Sequence, residues 1–301
     1  MKNTISLDQN EKDNLKCLAA QRTLYSKAKA LFSFQILLCV IIVILTLFTL
    51  FIPNLKSFTA FFSISLAFAE LTFFNGTISR LKNKAASIQE LFDCNVLRID
   101  WNSLKIPSKP DYEDINSYST SIMTDPDKKS SLEDWYGRIP NEIPYTTARI
   151  ICQRSNLFWD IELRHSFANA TKLASFLLVL PLVIITVCDG ITLTNVLFLF
   201  LSPTLPIIIL ALLQHINNKE SIENLRRLKQ TLDTVWEELL HSSNNEKHFY
   251  EASRNIQDEI YSQRKSNPLI FNWFYEIKKN KQQEDTNYTV SQMVKEYIES
   301  Q

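Results

Sequence analysis

The chain has 301 residues, 46% of them hydrophobic and 21% charged, and its 32 basic and 32 acidic side chains leave no net charge. A neutral chain is not built to coat a polyanion, so we expect no DNA or RNA polymer as a partner. The three glycines lie more than fifty residues apart, which excludes a P-loop, a dinucleotide-binding turn and a nucleophile elbow. Because the chain contains no CxxC or HExxH motif, we also expect no metal site and no cofactor.

The first predicted elements are a polar amino-terminal helix and a membrane hairpin. Residues 1–30 show helical spacing and lead directly into Leu31–Ile52, which contains no charged residue. As a helix, these 22 residues span roughly 33 Å, enough to cross a bilayer core of about 30 Å. After a short break Phe58–Phe74 is apolar again, so the pattern predicts a transmembrane hairpin over residues 31–76.

Glu70 is the one carboxylate inside the apolar runs of this hairpin. An acidic residue in a membrane segment is costly and usually faces a bundle interior or a water path. Glu70 precedes Asn75 by five residues, a rise of about 7 Å, so it lies near the end of the span. It can serve helix packing near the membrane surface, or it can line a pore and couple it to the adjoining helices.

The central segment, residues 77–172, is predicted to be mainly helical. Residues 102–131 are the exception, since their proline, serine, aspartate and asparagine content predicts a mobile loop. A helix is expected to begin near Tyr145, after Pro144, and to continue without a break into the third span. Polar residues recur along it at spacings of three and four, which predicts one stripe of Arg149, Gln153, Asn156, Asp160 and Arg164.

Two further apolar runs, Leu173–Cys188 and Ile191–Ile216, predict a second hairpin over residues 173–216. The first run has only 16 residues, about 24 Å of helix, so it needs flanking residues or oligomer contacts to cross. The second run contains Pro203 and Pro206. Proline frees backbone carbonyls that neighbouring helices must satisfy, and a kink is expected there.

The distribution of basic residues predicts the orientation. Lysine and arginine flank the membrane ends of residues 1–30, 77–172 and 217–301, whereas the two short turns carry only Lys56 and Asp189. The positive-inside rule therefore places both termini and the central segment in the cytoplasm. The predicted fold class is an all-α integral membrane protein, with four transmembrane helices in two hairpins and cytoplasmic helical extensions. Almost no residues are then exposed outside the cell, so we expect the protein to receive its signal from the cytoplasm.

Three sets of residues form a further pattern. They are Gln21, Arg22, Leu24, Tyr25, Lys27, Ala28 and Lys29; Asp134, Trp135 and Tyr136 with 148–156, Trp159 and Asp160; and 255–261 with Arg264 and Trp273, Phe274 and Tyr275. In combination these motifs resemble the SMODS-associated four-transmembrane effector family. The resemblance covers nearly the whole chain, but residues 102–131 match no part of that pattern.

The resemblance implies a bacterial defence effector of the inner (cell) membrane. Such proteins are encoded beside nucleotidyltransferases that make cyclic oligonucleotides on phage infection, and they are thought to permeabilise the inner membrane and halt the infected cell. On this basis we expect a pore-forming or membrane-disrupting antiphage (abortive infection) effector that a cyclic oligonucleotide activates from the cytoplasm. No catalytic residue carries over from the family, and we expect no enzyme activity.

A cyclic oligonucleotide needs cations for its phosphates and flat groups for its bases, where stacking contributes about 1–3 kcal/mol per base. The central segment supplies both types within thirty residues. A salt-bridged helix face is the alternative, because Asp160 and Arg164 form an i,i+4 pair of opposite charge. The candidate ligand-binding residues are Trp135, Tyr136, Arg149, Arg154, Trp159 and Arg164.

A single bundle of four transmembrane helices is not expected to conduct ions by itself. Four helices packed about 8–10 Å apart fill their own centre with side chains, so a pore requires a homo-oligomer or a rearrangement. The residues assigned to the pore or its coupling are Glu70, Pro203 and Pro206. Two alternatives stay open: a non-conducting membrane scaffold or sensor, and a small channel or transporter that conducts without a trigger.

Overall fold

The structure is a computed structural model that describes residues 2–137, 139–241 and 245–301; within its helices, the side chains of Trp159, Tyr275 and residues 278–283 are not described. All regular elements of this described part are helical. Two of them, Glu70–Phe74 and Val196–Leu201, are π-helical. The α-helices are α1 (Ile5–Asp8), α2 (Lys12–Phe48), α3 (Leu55–Ala69), α4 (Asn75–Leu97), α5 (Tyr112–Met123), α6 (Pro126–Ser130), α7 (Tyr145–Cys188), α8 (Leu193–Asn195), α9 (Ser202–His241), α10 (Glu246–Ser266) and α11 (Asn272–Ser300).

Four continuous helical stretches are long and apolar enough to cross a membrane. They are Lys12–Phe48, Leu55–Leu97, Tyr145–Cys188 and Leu193–His241. The predicted class of an all-α membrane protein with four transmembrane helices is therefore confirmed. Each stretch is longer than its apolar part, so the same helices build both a membrane bundle (residues 31–76 and 173–216) and an extramembrane bundle (the described remainder).

The membrane bundle has an apolar cluster in its interior and an apolar outer surface. Its interior packs Cys39, Ile42 and Leu182 in one buried cluster. Large side chains face outward as well, and Phe51 and Phe61 are 80% and 72% exposed. An outward apolar surface of this extent would be unfavourable in water, and it is the expected surface of a protein in lipid.

The two short turns meet at the end of the membrane bundle that lies opposite the extramembrane bundle. Lys56 Nζ lies 2.6 Å from Asp189 Oδ2 and donates a second hydrogen bond of 3.2 Å to Asn195 Oδ1. These are the two charged residues that the turns carry. The ion pair joins one hairpin to the other, so the hairpins form one bundle rather than two separate units.

Proline in the fourth span has the backbone effect that the sequence predicts. Pro206 lies inside α9 and has no N–H to donate to the carbonyl of Ser202, four residues earlier. Ser63 Oγ, on α3, donates a 2.5 Å hydrogen bond to that carbonyl instead. The neighbouring helix thus satisfies the freed group, as the apolar surroundings require. The π-helical segment Val196–Leu201 directly precedes the two prolines.

The extramembrane bundle has the larger buried core. Helices α2, α4, α7, α9 and α10 all contribute to it, with Leu18, Ile88, Phe92, Ile150 and Leu232 among its fully buried residues. Because these helices continue into the membrane, the core also sets the relative positions of the spans.

Residues 102–131 differ from the predicted mobile loop, because they contain α5 and α6. On α5, Ile115 and Ile122 are 6% and 8% exposed, and Lys84 Nζ on α4 lies 2.6 Å from Asp114 Oδ2. The two isoleucines are seven residues apart and so share one helical face. The polar composition of the segment hid this single apolar stripe.

We expect Ile115→Ala to loosen α5, because removing a buried isoleucine side chain costs about 2–5 kcal/mol. Hydrogen–deuterium exchange of the α5 amides should become faster, while exchange in the core of α4 stays slow. Leu104→Ala is the matched control, since Leu104 is 98% exposed in the same segment. Equal exchange in the wild type and Ile115→Ala would show that α5 does not depend on this packing.

Candidate functional site

A cavity of about 530 Å³ lies in the extramembrane bundle. Its volume falls within the range of about 300–1,000 Å³ that is typical of ligand pockets. Residues of α2, α7, α10 and α11 line it, together with residues 131–137. Lys29 is one of them and precedes the first apolar run by two residues, so the cavity lies where the two bundles meet.

Four cations among the described residues line the cavity, and they differ in their partners. Arg22 Nη1 donates to Ser131 Oγ at 2.7 Å, and Lys29 Nζ donates to Asn272 Oδ1 at 2.7 Å. Both of these acceptors are neutral. Arg164 Nε instead lies 2.8 Å from Asp160 Oδ1, and the fourth cation, Arg264, forms an ion pair with Asp93. Arg22 and Lys29 can therefore exchange a hydrogen bond to a neutral acceptor for one to a charged group of a ligand.

Several buried polar atoms at the cavity have no hydrogen-bond partner within the described residues. They include Gln263 Oε1, Asn267 Oδ1 and Thr286 Oγ1, whose residues are 7%, 3% and 8% exposed. The orientation of Asn267 is determined, because its Nδ2 donates to Asp160 Oδ2 at 2.8 Å and a carboxylate only accepts. Buried polar groups are normally paired, so these atoms indicate a site for a polar ligand or ordered water.

Trp135 and Tyr136 both line the cavity, but only one ring is available for stacking. Trp135 is 37% exposed and meets Phe92 edge-on, with ring centroids 6.5 Å apart. Tyr136 is 2% exposed and stacks on Phe92, with centroids 6.0 Å apart. A base entering the cavity can thus stack on Trp135, whereas the Tyr136 ring belongs to the core.

A buried polar network holds the wall behind Tyr136. Asp93, on α4, is fully buried. It accepts hydrogen bonds from Tyr136 OH at 2.6 Å and from Gln257 Nε2 at 2.8 Å, and it pairs with Arg264. Gln257 Nε2 also donates to Glu90 at 2.8 Å. The network joins α4, α10 and the segment that carries Trp135.

Two partners of Asp93, Arg264 and Tyr136, keep the protonation states that their contacts require. Burial alone would lower the pKa of Arg264, but the neighbouring Asp93 carboxylate raises it. The net shift of this pKa is upward, so the guanidinium stays protonated. Burial and the same carboxylate raise the pKa of Tyr136 well above its ordinary value. The phenol therefore remains a hydrogen-bond donor at neutral pH.

The structure brings together three of the six predicted ligand-binding residues: Trp135, Tyr136 and Arg164 line the cavity. Arg149 does not, because it lies buried at the carboxyl end of α4, where its Nε donates to the Leu97 carbonyl at 2.9 Å. Arg154 also lies elsewhere and pairs with Asp233 of α9 at 2.8 Å. The side chain of Trp159 lies outside the described part of the structure.

Arg149 and Arg154 therefore have structural partners that explain their positions. Arg149 covers carbonyls that the end of α4 leaves without an N–H donor, and Arg154 joins α7 to α9. The predicted polar stripe on α7 is thus largely a set of contacts between helices. Its last three members, Asn156, Asp160 and Arg164, line the cavity, whereas Arg149 and Gln153 do not.

Sequence reasoning missed Arg22, Lys29 and Arg264 as ligand candidates. Arg22 and Lys29 lie on α2 and Arg264 on α10, far in sequence from the central segment. Their presence in the family-like motifs was the available signal. The three residues assigned to the pore or its coupling, Glu70, Pro203 and Pro206, lie in the membrane bundle, away from the cavity lining.

The chain resembles known proteins over almost its full length. The family model of the SMODS-associating 4TM effector domain matches residues 3–293. A relative from Bacillus cereus (strain VD146), described as a probable CBASS effector molecule, is 26% identical over 290 residues, which cover 92% of this chain and 93% of the relative. No solved structure matches the chain.

We expect Asp93→Ala to destabilise the extramembrane bundle by about 3–5 kcal/mol, because it leaves the buried charge of Arg264 without its partner. The double variant Asp93→Ala/Arg264→Met should recover much of this loss, since it removes both charges. Thermal unfolding in detergent measures both effects.

Glu259→Ala is the control for this series, because Glu259 is half exposed on α10 and its ion pair with Lys105 spans 3.5 Å. Such surface pairs contribute about 0–1 kcal/mol. A loss no larger in Asp93→Ala than in Glu259→Ala, or no recovery in the double variant, would contradict the role of the network.

Proposed function

The chain belongs to the SMODS-associating 4TM effector family, and from this premise we propose that it is a pore-forming antiphage effector activated by a cyclic oligonucleotide. In this proposal the ligand binds in the cavity from the cytoplasmic side, with both termini and the central segment in the cytoplasm. The membrane is the bacterial inner membrane, and the protein acts without catalysis. The description of the relative from Bacillus cereus as a probable CBASS effector molecule supports the defence role.

The observation that carries the proposal is the combination of groups at one cavity. Arg22 and Lys29 hold neutral partners and can turn to phosphates. Trp135 offers a partly exposed ring for a base. The acceptor Asn267 Oδ1 lacks a partner and suits an exocyclic amino group. A solvated salt-bridged surface would not need buried atoms of this kind.

The helices supply a route from the cavity to the membrane. Lys29 lies on α2 and Arg164 on α7, and each helix continues without interruption into a span. A ligand that favours one arrangement of these two side chains therefore favours one arrangement of the spans. Such a shift requires a difference in binding free energy between the two states, and charge-assisted contacts can supply it.

The close packing of the membrane bundle suggests that conduction requires a rearrangement or an oligomer. Its interior is occupied by side chains such as Ile42, Leu182 and Ile207, so one closely packed protomer has no wide channel. The π-helical segments at Glu70–Phe74 and Val196–Leu201 are places where the spans depart from regular α-helix. We assign Glu70, Pro203 and Pro206 to these adjustable regions, and we propose a homo-oligomer as the active form.

We expect the double variant Arg22→Glu/Lys29→Glu to lose the response to the signal. Cells would express the chain with its activating nucleotidyltransferase, and a voltage-sensitive dye would report membrane potential after phage infection. The wild type should depolarise the cells. The double variant should need at least about tenfold more signal, because it replaces two attractive phosphate contacts with repulsion.

Lys247→Glu is the matched control, since Lys247 is an exposed cation on α10 outside the cavity lining. It should behave as the wild type. An intact membrane potential in wild-type cells under confirmed signalling would contradict pore formation and favour a non-conducting sensor. Depolarisation without any signal would favour a constitutive channel or transporter.

A further inference from the structure

Glu70 occupies an unusual position in the membrane bundle. It begins the π-helical segment Glu70–Phe74 and is fully buried. Cys39 Sγ on α2 donates to Glu70 Oε1 at 3.7 Å, whereas Glu70 Oε2 has no hydrogen-bond partner. Within the described part of the chain, no basic side chain pairs with this carboxylate. A carboxylate inside a membrane usually faces a polar partner or a water path.

A second unpartnered side chain lies one helical turn away. Gln35 is fully buried on α2, and neither its Nε2 nor its Oε1 has a hydrogen-bond partner. It precedes Cys39 by four residues, so it shares the face of α2 that contacts Glu70 and lies about 6 Å closer to the extramembrane bundle. The rings of Phe34 and Phe74, 6.3 Å apart, show that the two helices remain adjacent at this level.

Unpartnered polar atoms continue from this level towards the cavity. On α9, Asn218 is 1% exposed and both of its amide atoms lack partners, as does Gln214 Oε1 one turn before it. Leu210, a further turn along α9, packs against the clusters that contain Cys39 and Phe32. The face of α9 that carries these residues therefore turns towards α2 in the bundle interior.

We propose that Glu70 and Gln35 bind a monovalent cation inside the membrane bundle of each protomer. Carboxylate and amide oxygens are the ligands that hard cations prefer. A single carboxylate supplies one negative charge, which one monovalent cation neutralises. Both amide atoms of Gln35 are free, so its oxygen can turn towards the cation without breaking another bond. Ordered water would complete the coordination and continue along Gln214 and Asn218.

This site also locates part of a cation path inside each protomer after the rearrangement to the conducting state. This part of the inference rests on the proposed pore function. The path would lead from the cavity, past Asn218 and Gln35, to Glu70. Cation binding itself does not depend on conduction. The two parts can therefore be tested separately.

The first test is thermal unfolding of the full chain in detergent, with potassium chloride compared with choline chloride at equal ionic strength. We expect potassium to raise the wild-type midpoint by about 2–5 °C through preferential binding to the folded state. Glu70→Gln and Gln35→Leu should each lose this rise. Thr72→Val and Ser33→Ala should keep it, because both hydroxyls lie on exposed residues of the same helices.

The same rise in Glu70→Gln as in the wild type would overturn the cation site. So would a wild-type midpoint that responds to pH but not to potassium, because the carboxylate would then hold a proton. If Glu70→Gln does not fold, Gln35→Leu and the wild-type salt comparison decide the question.

The second test is the reversal potential of the full chain in planar bilayers under a potassium chloride gradient, with a panel of cyclic di- and trinucleotides added to activate it. Wild-type protein and Thr72→Val should prefer potassium to chloride, and Glu70→Gln should lose at least about half of that preference. Unchanged selectivity in Glu70→Gln would overturn the path. A wild type that binds potassium but never conducts would overturn the proposed pore function and leave the cation site standing.

Discussion

The buried ion pair between Asp93 and Arg264 is the constraint on which the extramembrane bundle depends. Asp93 has no access to solvent, and its polar partners among the described residues are Arg264, Tyr136 and Gln257. These partners come from two elements that sequence separates widely. A buried pair of this kind contributes little net stability, but breaking it is costly. It therefore favours a single arrangement of α4, α10 and the cavity wall that carries Trp135.

Two of the helices that line the cavity, α2 and α7, continue as membrane spans. Helix α2 carries Lys29 and continues to Phe48, and α7 carries Arg164 and continues to Cys188. A displacement at the cavity cannot be absorbed by a flexible linker at these two places. The polar contacts inside the membrane bundle, such as that of Ser63 with the Ser202 carbonyl, are alternatives to regular helix hydrogen bonds. This contact links α3 to α9 inside the membrane bundle.

The long apolar runs and their helical extensions could be predicted because periodicity and length are local properties. Helix α5 was missed, since one stripe of Ile115 and Ile122 is weak beside many polar residues. The residues that line the cavity were predicted only in part. Trp135 and Arg164 followed from residue type, but no single-helix pattern shows which neighbour a side chain meets. For that reason Arg149 was predicted as a ligand contact, although it covers the end of α4.

Direct titration of the purified full chain with a panel of cyclic di- and trinucleotides tests whether the cavity is the receptor site. We expect one of them to bind, and we expect Trp135→Ala to weaken binding by about 5–150-fold, because a lost base stack costs about 1–3 kcal/mol. Trp273→Ala should bind as the wild type does, since Trp273 is exposed and does not line the cavity. Binding to none of these ligands, or equal binding by the wild type and Trp135→Ala, would show that the cavity is not the receptor site.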